Sequence, residues 1–398
     1  MSWEKKTLDQ LGSISRGKSK HRPRNDPKLF GGQYPFIQTA DVKNANFYIT
    51  EYSDTYNETG LAQSKLWDVG TLCITIAANI ADTGILGIPA CFPDSVMGFI
   101  PYDGVSDVRF VKYCFDMLQR DCKQISQGTA QDNLSWQKLS TIEFPVPPIE
   151  TQRRIADILS AYDDLIENNQ KQIKLLEETA QRLYKEWFVD LRFPGHVHTK
   201  ITDGVPEGWE KSTVAGVSSV LRRGISPRYN ENGKSTVINQ KCIRQTVVTF
   251  DESRRQEKPY PEDLNLQDSD TVICSTGTGT LGRVGQIFGD YPDTTFDSHV
   301  TLVRANERFG KQYLFQLLKA RQTYLMGMGK GSTNQLELSR GTIQDLEIYV
   351  PSEKVLDQFE QVAQPIHDKI NIISKCIMQL QTARDRLLPK LMSGEVEV

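Results

Sequence analysis

The feature that most constrains this chain is that it contains its own sequence pattern twice. A segment that begins "WEKKTLDQLGSISRGKS" at Trp3 returns as "WEKSTVAGVSSVLRRGIS" at Trp209. Later pairs keep the same order, among them "VGTLCITIAANIADTGIL" with "SDTVICSTGTGTLGRVGQI" and "GTAQDNLS" with "GSTNQLELS". Because the paired segments follow one another in the same order in both halves of the chain, they indicate a tandem duplication. The fold must therefore contain two similar units.

Each copy ends in the same transition from a strand to a helix. The runs are "EFPVPPIETQRRIADIL" and "EIYVPSEKVLDQFEQVAQ". A Val-Pro step ends the strand, and apolar residues at spacings of three and four begin after it. We therefore predict a first globular half over residues 1–148 and a first helical spacer over 149–195. A second globular half follows over 200–350, and a second helical spacer over 351–393.

The globular halves mix β-rich and helical segments. Runs such as "GTLCITIA" and "DTVICST" alternate with "VKYCFDMLQRDC". This mixture predicts the α+β class, with two similar α/β halves. The apolar share is 38% and the charged share 24%, as in ordinary folded proteins. No apolar run is long enough for a membrane span, and seven isolated cysteines without a CxxC pair favour the cytoplasm.

The two helical segments carry one apolar stripe each. A helix of roughly 35 residues is roughly 50 Å long, and a rod with one apolar stripe requires a partner. We expect the two helices to pair in antiparallel fashion, with the globular halves related by a pseudo-twofold axis. The alternative is that each helix packs only on its own globular half. Pro365 is expected to kink the second helix or delay its start. The positions expected at the pairing face are Ile155, Tyr162, Ile166, Ile173, Leu176, Phe359, Ile366, Ile370, Ile373, Ile377 and Leu380.

Positive charge is concentrated in two short segments, although the net charge of the chain is −3. The segment 16–28 holds six Lys or Arg residues and one acid, and 222–234 holds four and one. Such clusters can face phosphates while the rest of the surface stays acidic. Two solvated loops explain the charge equally well.

With these features the chain resembles the specificity subunits of type I restriction–modification enzymes. The resemblance covers essentially the whole chain. It rests on the two-copy architecture, on "VPPIETQRRIADIL", and on "RLYKEWFVDLRFP" and "RDRLLPKLMSGEVEV" at the helix ends. It implies that each globular half is a target-recognition domain for one half of a bipartite, asymmetric DNA site. It also implies that the helices set the gap between the half-sites and dock two methylation subunits.

The resemblance further implies a non-catalytic chain without a cofactor of its own. S-adenosylmethionine, ATP and Mg²⁺ are then expected in partner subunits, which methylate adenine and, where a restriction subunit is present, translocate and cleave DNA. A DNA-recognition subunit of another restriction type remains an alternative.

Candidate DNA-binding side chains follow from residue type and loop position. Arg and Lys pair with guanine or phosphate, and Asn and Gln pair with adenine. For each candidate, plain surface exposure is the competing interpretation. The candidates are Lys18, Lys20, Arg22, Arg24, Asn25, Gln131 and Asn133 in the first half, and Arg223, Arg228, Tyr229, Asn230, Arg283, Asn334 and Gln335 in the second.

One motif suggests a different class of protein. The run "GTGTLG" at 277–282 matches the GxGxxG pattern of nucleotide-binding turns, so a stand-alone enzyme with a nucleotide cofactor is the second hypothesis. That pattern requires a helix directly afterwards. The following "RVGQIFG" reads as a strand, which favours a tight turn between strands. The five histidines show no metal-ligand spacing with cysteine, so we expect no metal site.

Overall fold

The structure is a computed structural model that describes residues 3–76, 82–125, 139–331 and 336–398, with backbone only for 121–125. The chain forms two compact units. Unit 1 contains Met1–Gln170 and Cys376–Val398, and unit 2 contains Lys171–Lys375. Each unit therefore includes one portion of each of the two long helices described below.

The described residues of unit 1 form three sheets. Strand order is β2-β10-β7-β8-β4 in the five-stranded sheet, β5-β3-β9-β6 in the four-stranded sheet and β1-β11 in the smallest one. Its short helices are Leu8–Leu11, Thr39–Asn44, Glu58–Ala62 and Val108–Ile125. The strands are β1 Glu4–Thr7, β2 Gly12–Arg16, β3 Phe30–Phe36, β4 Tyr48–Ile49, β5 Asp54–Tyr56, β6 Leu66–Trp67, β7 Leu72–Thr75, β8 Thr83–Leu86, β9 Ala90–Cys91, β10 Val96–Pro101 and β11 Glu143–Val146.

Unit 2 has sheets of order β15-β21-β18-β19, β17-β16-β20, β14-β22 and β12-β13. Its short helices are Lys311–Ala320, Gln322–Gly327 and Arg340–Gln344. The strands are β12 Ile201–Thr202, β13 Val205–Pro206, β14 Glu210–Thr213, β15 Ser218–Arg223, β16 Ser235–Ile238, β17 Arg254–Gln256, β18 Thr271–Cys274, β19 Val284–Gln286, β20 Thr294–Phe296, β21 Val300–Ala305 and β22 Glu347–Val350.

The duplication seen in the sequence is present in the strand pairing. The antiparallel run β2-β10-β7-β8 of unit 1 corresponds to β15-β21-β18-β19 of unit 2. In the same way β3 pairs antiparallel with β5 and parallel with β9, as β16 does with β17 and β20. The central strands β7 and β18 are buried at every residue, which explains their nearly continuous apolar sequences. The predicted α+β class with two similar globular parts is confirmed.

The first long helix spans Ile149–Tyr184 and continues as a π-helical turn over Lys185–Val189. The second spans Glu353–Met392. Pro365 lies inside it, so the expected delay of its start is wrong.

Both long helices contribute to the core of each unit. In unit 1, Ile155 and Leu159 of the first long helix join Leu388 and Leu391 of the second in one cluster with the sheet residue Phe99. In unit 2, Tyr184 and Phe359 join a cluster with the sheet residue Val303. Full burial of one large apolar side chain contributes about 1.5–3 kcal/mol, so these contacts are a large share of each core.

The helices contact each other in both units, and the contacts in unit 1 show that they run antiparallel. In unit 1, Asp163 forms an ion pair with Arg384, and the Asn169 Nδ2 lies 3.7 Å from the Cys376 Sγ. In unit 2, the rings of Trp187 and Phe359 lie 5.8 Å apart. In unit 1, higher numbers in the first helix meet lower numbers in the second. The expectation of antiparallel pairing is confirmed, and the alternative that each helix packs only on its own half is wrong.

The residues expected at the pairing face are all at least partly shielded from solvent. Their assignment to helix pairing and partner binding nevertheless stays a prediction for each residue. Those buried are Ile155, Ile166, Phe359, Ile370, Ile373 and Ile377, and those half-buried are Tyr162, Ile173, Leu176, Ile366 and Leu380.

Each unit also has a buried polar residue at the same point of its helix. Asp163 and His367 both stand 17 residues after the Val of the Val-Pro step. The Tyr113 hydroxyl donates to Asp163 over 2.6 Å, in addition to the Arg384 pair. His367 stacks on Phe288 with ring centroids 4.3 Å apart. Asp163 thus fixes its helix to two other helices of unit 1, and His367 fixes its helix beside the sheet of unit 2.

His367 is held by both nitrogens. Its Nε2 lies 3.2 Å from Asp268 Oδ1, and its Nδ1 lies 3.1 Å from Gln286 Oε1. Burial favours the neutral acid, but hydrogen bonds from His367 and from the Gly289 amide outweigh it and lower the pKa of Asp268 to about 2. Asp268 is therefore an ionised partner of His367 at neutral pH.

The repeated Arg-Gly pair has a steric cause. A Cβ on Gly17 would lie 2.3 Å from the Phe92 carbonyl oxygen, and one on Gly224 would lie 2.2 Å from the Phe296 carbonyl oxygen. Both glycine amides donate to the strand beyond, Gly17 to Val96 at 2.9 Å and Gly224 to Val300 at 3.0 Å. Glycine is needed at both positions because the backbone that follows Phe92 or Phe296 passes directly over the glycine Cα.

Gly224→Ala should therefore destabilise the protein by about 1–3 kcal/mol, since the new methyl group overlaps two carbonyl oxygens. Gly327→Ala is the matched control, because it lies at a helical position with open space around it. It should be neutral or stabilise by up to about 1 kcal/mol. The urea midpoint of unfolding measures both. Equal midpoints for the two variants would disprove the steric explanation.

Arg384→Met should leave Asp163 as a buried charge without its cation and cost about 3–5 kcal/mol. The double variant Asp163→Leu with Arg384→Met should recover most of the loss, because both charges are removed together. The exposed Arg386→Met is the control and should change the urea midpoint little. A double variant as unstable as the single one would contradict a role for the ion pair.

Candidate nucleic-acid interface

The two basic segments are equivalent loops. Each begins at the glycine that follows β2 or β15, which is Gly17 or Gly224. The next backbone amide then fixes the loop. The Lys18 amide donates to the Phe92 carbonyl at 3.1 Å, and the Ile225 amide donates to the Phe296 carbonyl at 3.0 Å. The duplication therefore places both positive clusters on the same edge of the fold within their own units.

In the first loop, two arginines share one carboxylate. Arg24 Nη2 donates to both oxygens of Asp94, at 2.6 and 2.8 Å, and Arg22 Nη2 lies 3.9 Å from the same group. Arg22 also donates to the carbonyls of Ser19 and His21. The side chains of Arg22 and Arg24 are 57% and 49% exposed, so the trio presents a surplus positive charge to solvent.

The rest of this loop is shaped by Asp26. The Lys28 amide donates to Asp26, as does the ring of His21 across 2.9 Å, and these bonds lower the pKa of the carboxyl group. Lys18, Lys20 and Asn25 are exposed. Within the described part of the chain, neither lysine has an ion-pair partner. Their free ammonium groups are suited to phosphate contacts.

The second loop lies along the edge strand β17. Tyr229 forms an isolated bridge with Gln256, and the Asn230 amide donates to the Arg255 carbonyl at 3.2 Å. The Asn230 side chain binds Glu257, and Arg228 Nη1 lies 3.7 Å from the same carboxylate. The structure thus brings three predicted residues, Arg228, Tyr229 and Asn230, onto one strand edge.

Arg223 and Arg283 lie apart from that edge, near the glycine-rich turn. Arg223 pairs with Glu337 and donates to the Ser275 carbonyl at 3.4 Å, so its guanidinium is engaged within the protein. Arg283 is half-buried at the end of the turn, where its amide donates to the Thr280 carbonyl at 3.1 Å. Both positions are less suited to base contacts than the loop tip.

The run 277–282 is a turn between strands. It joins the antiparallel strands β18 and β19, and Gly277, Gly279 and Gly282 all have positive φ. A dinucleotide fingerprint requires a strand followed by a helix. The prediction of a tight turn is therefore confirmed, and the local geometry of a nucleotide-binding fingerprint is absent from this segment.

Gln131, Asn133, Asn334 and Gln335 lie outside the described residues. Among the residues that are described, no group of His, Cys, Asp or Glu could hold a metal ion. In that same part of the chain, no helix is both long and apolar enough to cross a membrane.

A cavity of about 740 Å³ lies in unit 1 beside the helix pair. Its wall includes Lys112, Asp116, Asp163 and Arg384. Lys112 pairs with Asp116 at 2.7 Å, and Arg384 pairs with Asp163. These four charged groups are therefore engaged in ion pairs within the protein.

Sequence reasoning missed Arg254. Its guanidinium carbon lies 3.6 Å from the centroid of the Tyr229 ring. The only signal in the sequence was the pair of arginines in "ESRRQEK", a run whose position on an edge strand becomes visible only from the register of β16 and β17.

Comparison with known proteins decides the family. A family model described as "Type I restriction modification DNA specificity domain" matches residues 1–178 and 206–373. The chain belongs to this family. The two matched ranges follow the internal duplication and contain both basic loops.

Individual relatives agree with this assignment. The MjaIX type I restriction enzyme specificity subunit of Methanocaldococcus jannaschii is 27% identical over 100% of this chain and 94% of its own length. The HindI specificity subunit of Haemophilus influenzae is 22% identical over 97% of this chain and 98% of its own. The solved S subunit from M. genitalium is similar in fold, with a TM-score of 0.56, 17% identity, and coverage of 98% and 96%.

Proposed function

We propose that this chain is the DNA-recognition subunit of a type I restriction–modification complex, in which each globular half reads one half of a bipartite, asymmetric site. The observation that carries the proposal is the pair of equivalent basic loops on duplicated scaffolds, together with membership of the specificity family. Positive loops on an otherwise acidic protein supply phosphate contacts where they are needed.

The asymmetry of the site follows from side chains at equivalent positions. In the register of the edge strands, Asp54 pairs with Phe36 in unit 1 as Arg254 pairs with Val237 in unit 2. Asp54 accepts a hydrogen bond from Gln38, whereas Arg254 lies on an aromatic ring. An acid and a base at the same place on the scaffold favour different base edges.

The long helices offer surfaces for partner subunits. The long helices expose large apolar side chains: Leu165 and Met378 in unit 1, and Leu175, Val362 and Ile372 in unit 2. Exposed apolar side chains along a helix pair are suited to packing against further helices. Two methylation subunits would occupy these faces and supply S-adenosylmethionine and adenine methylation. ATP, Mg²⁺ and cleavage would belong to a restriction subunit, and this chain would be non-catalytic and cytoplasmic.

A domain exchange tests the modular reading of DNA. Replacing residues 1–148 by the corresponding segment of a related specificity subunit should change one half of the methylated motif only, because each half has its own core and loop. Methylome sequencing of cells that express the exchanged chain gives the result. Replacing residues 200–350 is the reciprocal control and should change the other half. A change of both halves by one exchange would refute the proposal.

A matched insertion tests whether the helices set the gap. Asn169 faces Cys376, so adding four helical residues after Asn169 and four before Cys376 keeps the pairing register. The addition lengthens the pair by about 6 Å and should widen the unread gap of the motif by about two base pairs. An insertion at the exposed turn of Gly104 is the control and should leave the gap as it was. The same gap in all three proteins would show that the helices do not determine it.

A further inference from the structure

In unit 2, the guanidinium of Arg254 lies over the ring of Tyr229. The guanidinium carbon stands 3.6 Å from the ring centroid. At that distance an upright guanidinium would bring its nitrogens inside van der Waals contact with the ring, so its flat face must lie on the aromatic face. The N–H donors lie in the guanidinium plane, so they point sideways past the ring and remain open to a ligand.

The pair is held in place by the backbone around it. Besides the bridge between Tyr229 and Gln256, the Glu257 amide donates to the Arg228 carbonyl at 3.0 Å. A Cβ on Gly233 would lie 2.2 Å from the Gln256 carbonyl oxygen, so the loop closes against the strand as tightly as glycine allows. Tyr229 is therefore a fixed support and not a freely moving loop residue.

The side chain of Gln256 fixes strand β17 through hydrogen bonds. It is fully buried, donates to Ser235 and to the Lys258 carbonyl, and accepts from the Lys258 amide at 2.8 Å. These bonds fix the strand segment that carries Arg254. An arginine whose base and support are both fixed loses little conformational entropy when it binds.

The charge of Arg254 is available. The nearby carboxylate of Glu257 is already bound by Asn230 and lies 3.7 Å from Arg228. Across the described ranges, no carboxylate lies within ion-pair distance of Arg254. Its neighbour Arg255 differs, because its Nη1 donates to the Thr236 hydroxyl at 3.2 Å. An exposed, stacked and unneutralised guanidinium indicates a ligand that is flat and rich in acceptors.

We propose that Arg254, stacked on Tyr229, reads a guanine in the half-site bound by unit 2. This inference rests on the proposed function and adds the base and the residue. Guanine offers two acceptors, O6 and N7, at the spacing of the guanidinium fork, and no other base presents that pair in the major groove. Unit 1 has Asp54 at the equivalent position, so the guanine contact belongs to one half-site only.

The experiment uses the full chain expressed with its methylation partners. Methylome sequencing first identifies the motif, and the exchange of residues 1–148 shows which half-site unit 2 reads. Arg254→Ala should then relax one guanine of that half-site, with a loss of discrimination of about 5- to 150-fold in methylation rates on duplexes that differ at this base. Arg254→Lys keeps the charge but not the flat fork, and should relax the same position.

Matched variants separate the proposal from simpler explanations. Arg255→Ala, on the same strand, should leave the motif unchanged. Tyr229→Phe keeps the stacking ring and should behave as the wild type, whereas Tyr229→Leu should relax the same guanine as Arg254→Ala. Circular dichroism melting confirms that each variant is folded, and Arg254→Lys supplies the test if the alanine variant is not.

Two outcomes would overturn the inference. In the first, Arg254→Ala leaves the motif unchanged and lowers methylation equally on all duplexes. The slope of DNA affinity against salt concentration would then also fall by about one, as expected when a phosphate contact is lost. The other is relaxation in the half-site of unit 1. A wild-type chain that directs no sequence-specific methylation would instead refute the proposed function, so the two failures are distinguishable.

Discussion

Each unit depends on receiving both long helices. The cores of the two sheets are completed by apolar residues from helices that belong to distant parts of the sequence, such as Ile155 with Leu391 in unit 1 and Tyr184 with Phe359 in unit 2. Each cluster thus combines apolar residues of both long helices with those of the sheets. This constraint explains why the strand-exit and helix-entry sequence occurs twice, because each copy must supply one of the two helices that both units require.

The two copies have different buried polar residues at the same position of their long helices. At one equivalent helix position, unit 1 has Asp163, bound to Tyr113 and Arg384, and unit 2 has His367, bound to Asp268 and Gln286. A buried charged or polar group is tolerated only when its partners are present, so each copy must retain its own set. The scaffold is thus duplicated, while its fixing contacts are specific to each copy.

The sequence predicted most of the scaffold, whereas the contacts within the candidate interface depend on strand pairing that no local pattern shows. The repeat, the helix stripes and the strand-flanked turn at 277–282 rest on local periodicity and on glycine geometry, both of which are properties of neighbouring residues. Of the two effects expected of Pro365, a kink or a delayed start, the delayed start is wrong, because the helix begins at Glu353 and continues through the proline. Arg254 escaped notice because its role depends on strand pairing with β16 and on contact with Tyr229, and neither is visible in a local pattern.

Tertiary contacts that no local pattern shows also distinguish the predicted loop residues from one another. Residue type alone placed Arg223 and Arg228 in one group, yet Arg223 is engaged by Glu337 and the Ser275 carbonyl, whereas Arg228 is 75% exposed at the loop tip. In unit 1, Asp94 holds Arg22 and Arg24 together, so these two act as one preorganised cationic group. The support behind the guanidinium therefore differs between two exposed arginines, because it is an aromatic ring for Arg254 and a carboxylate for Arg24. A ring orients the fork without neutralising it, whereas a carboxylate orients it and removes part of its charge. On this physical ground base reading is expected from the first kind of support and positioning on the DNA backbone from the second.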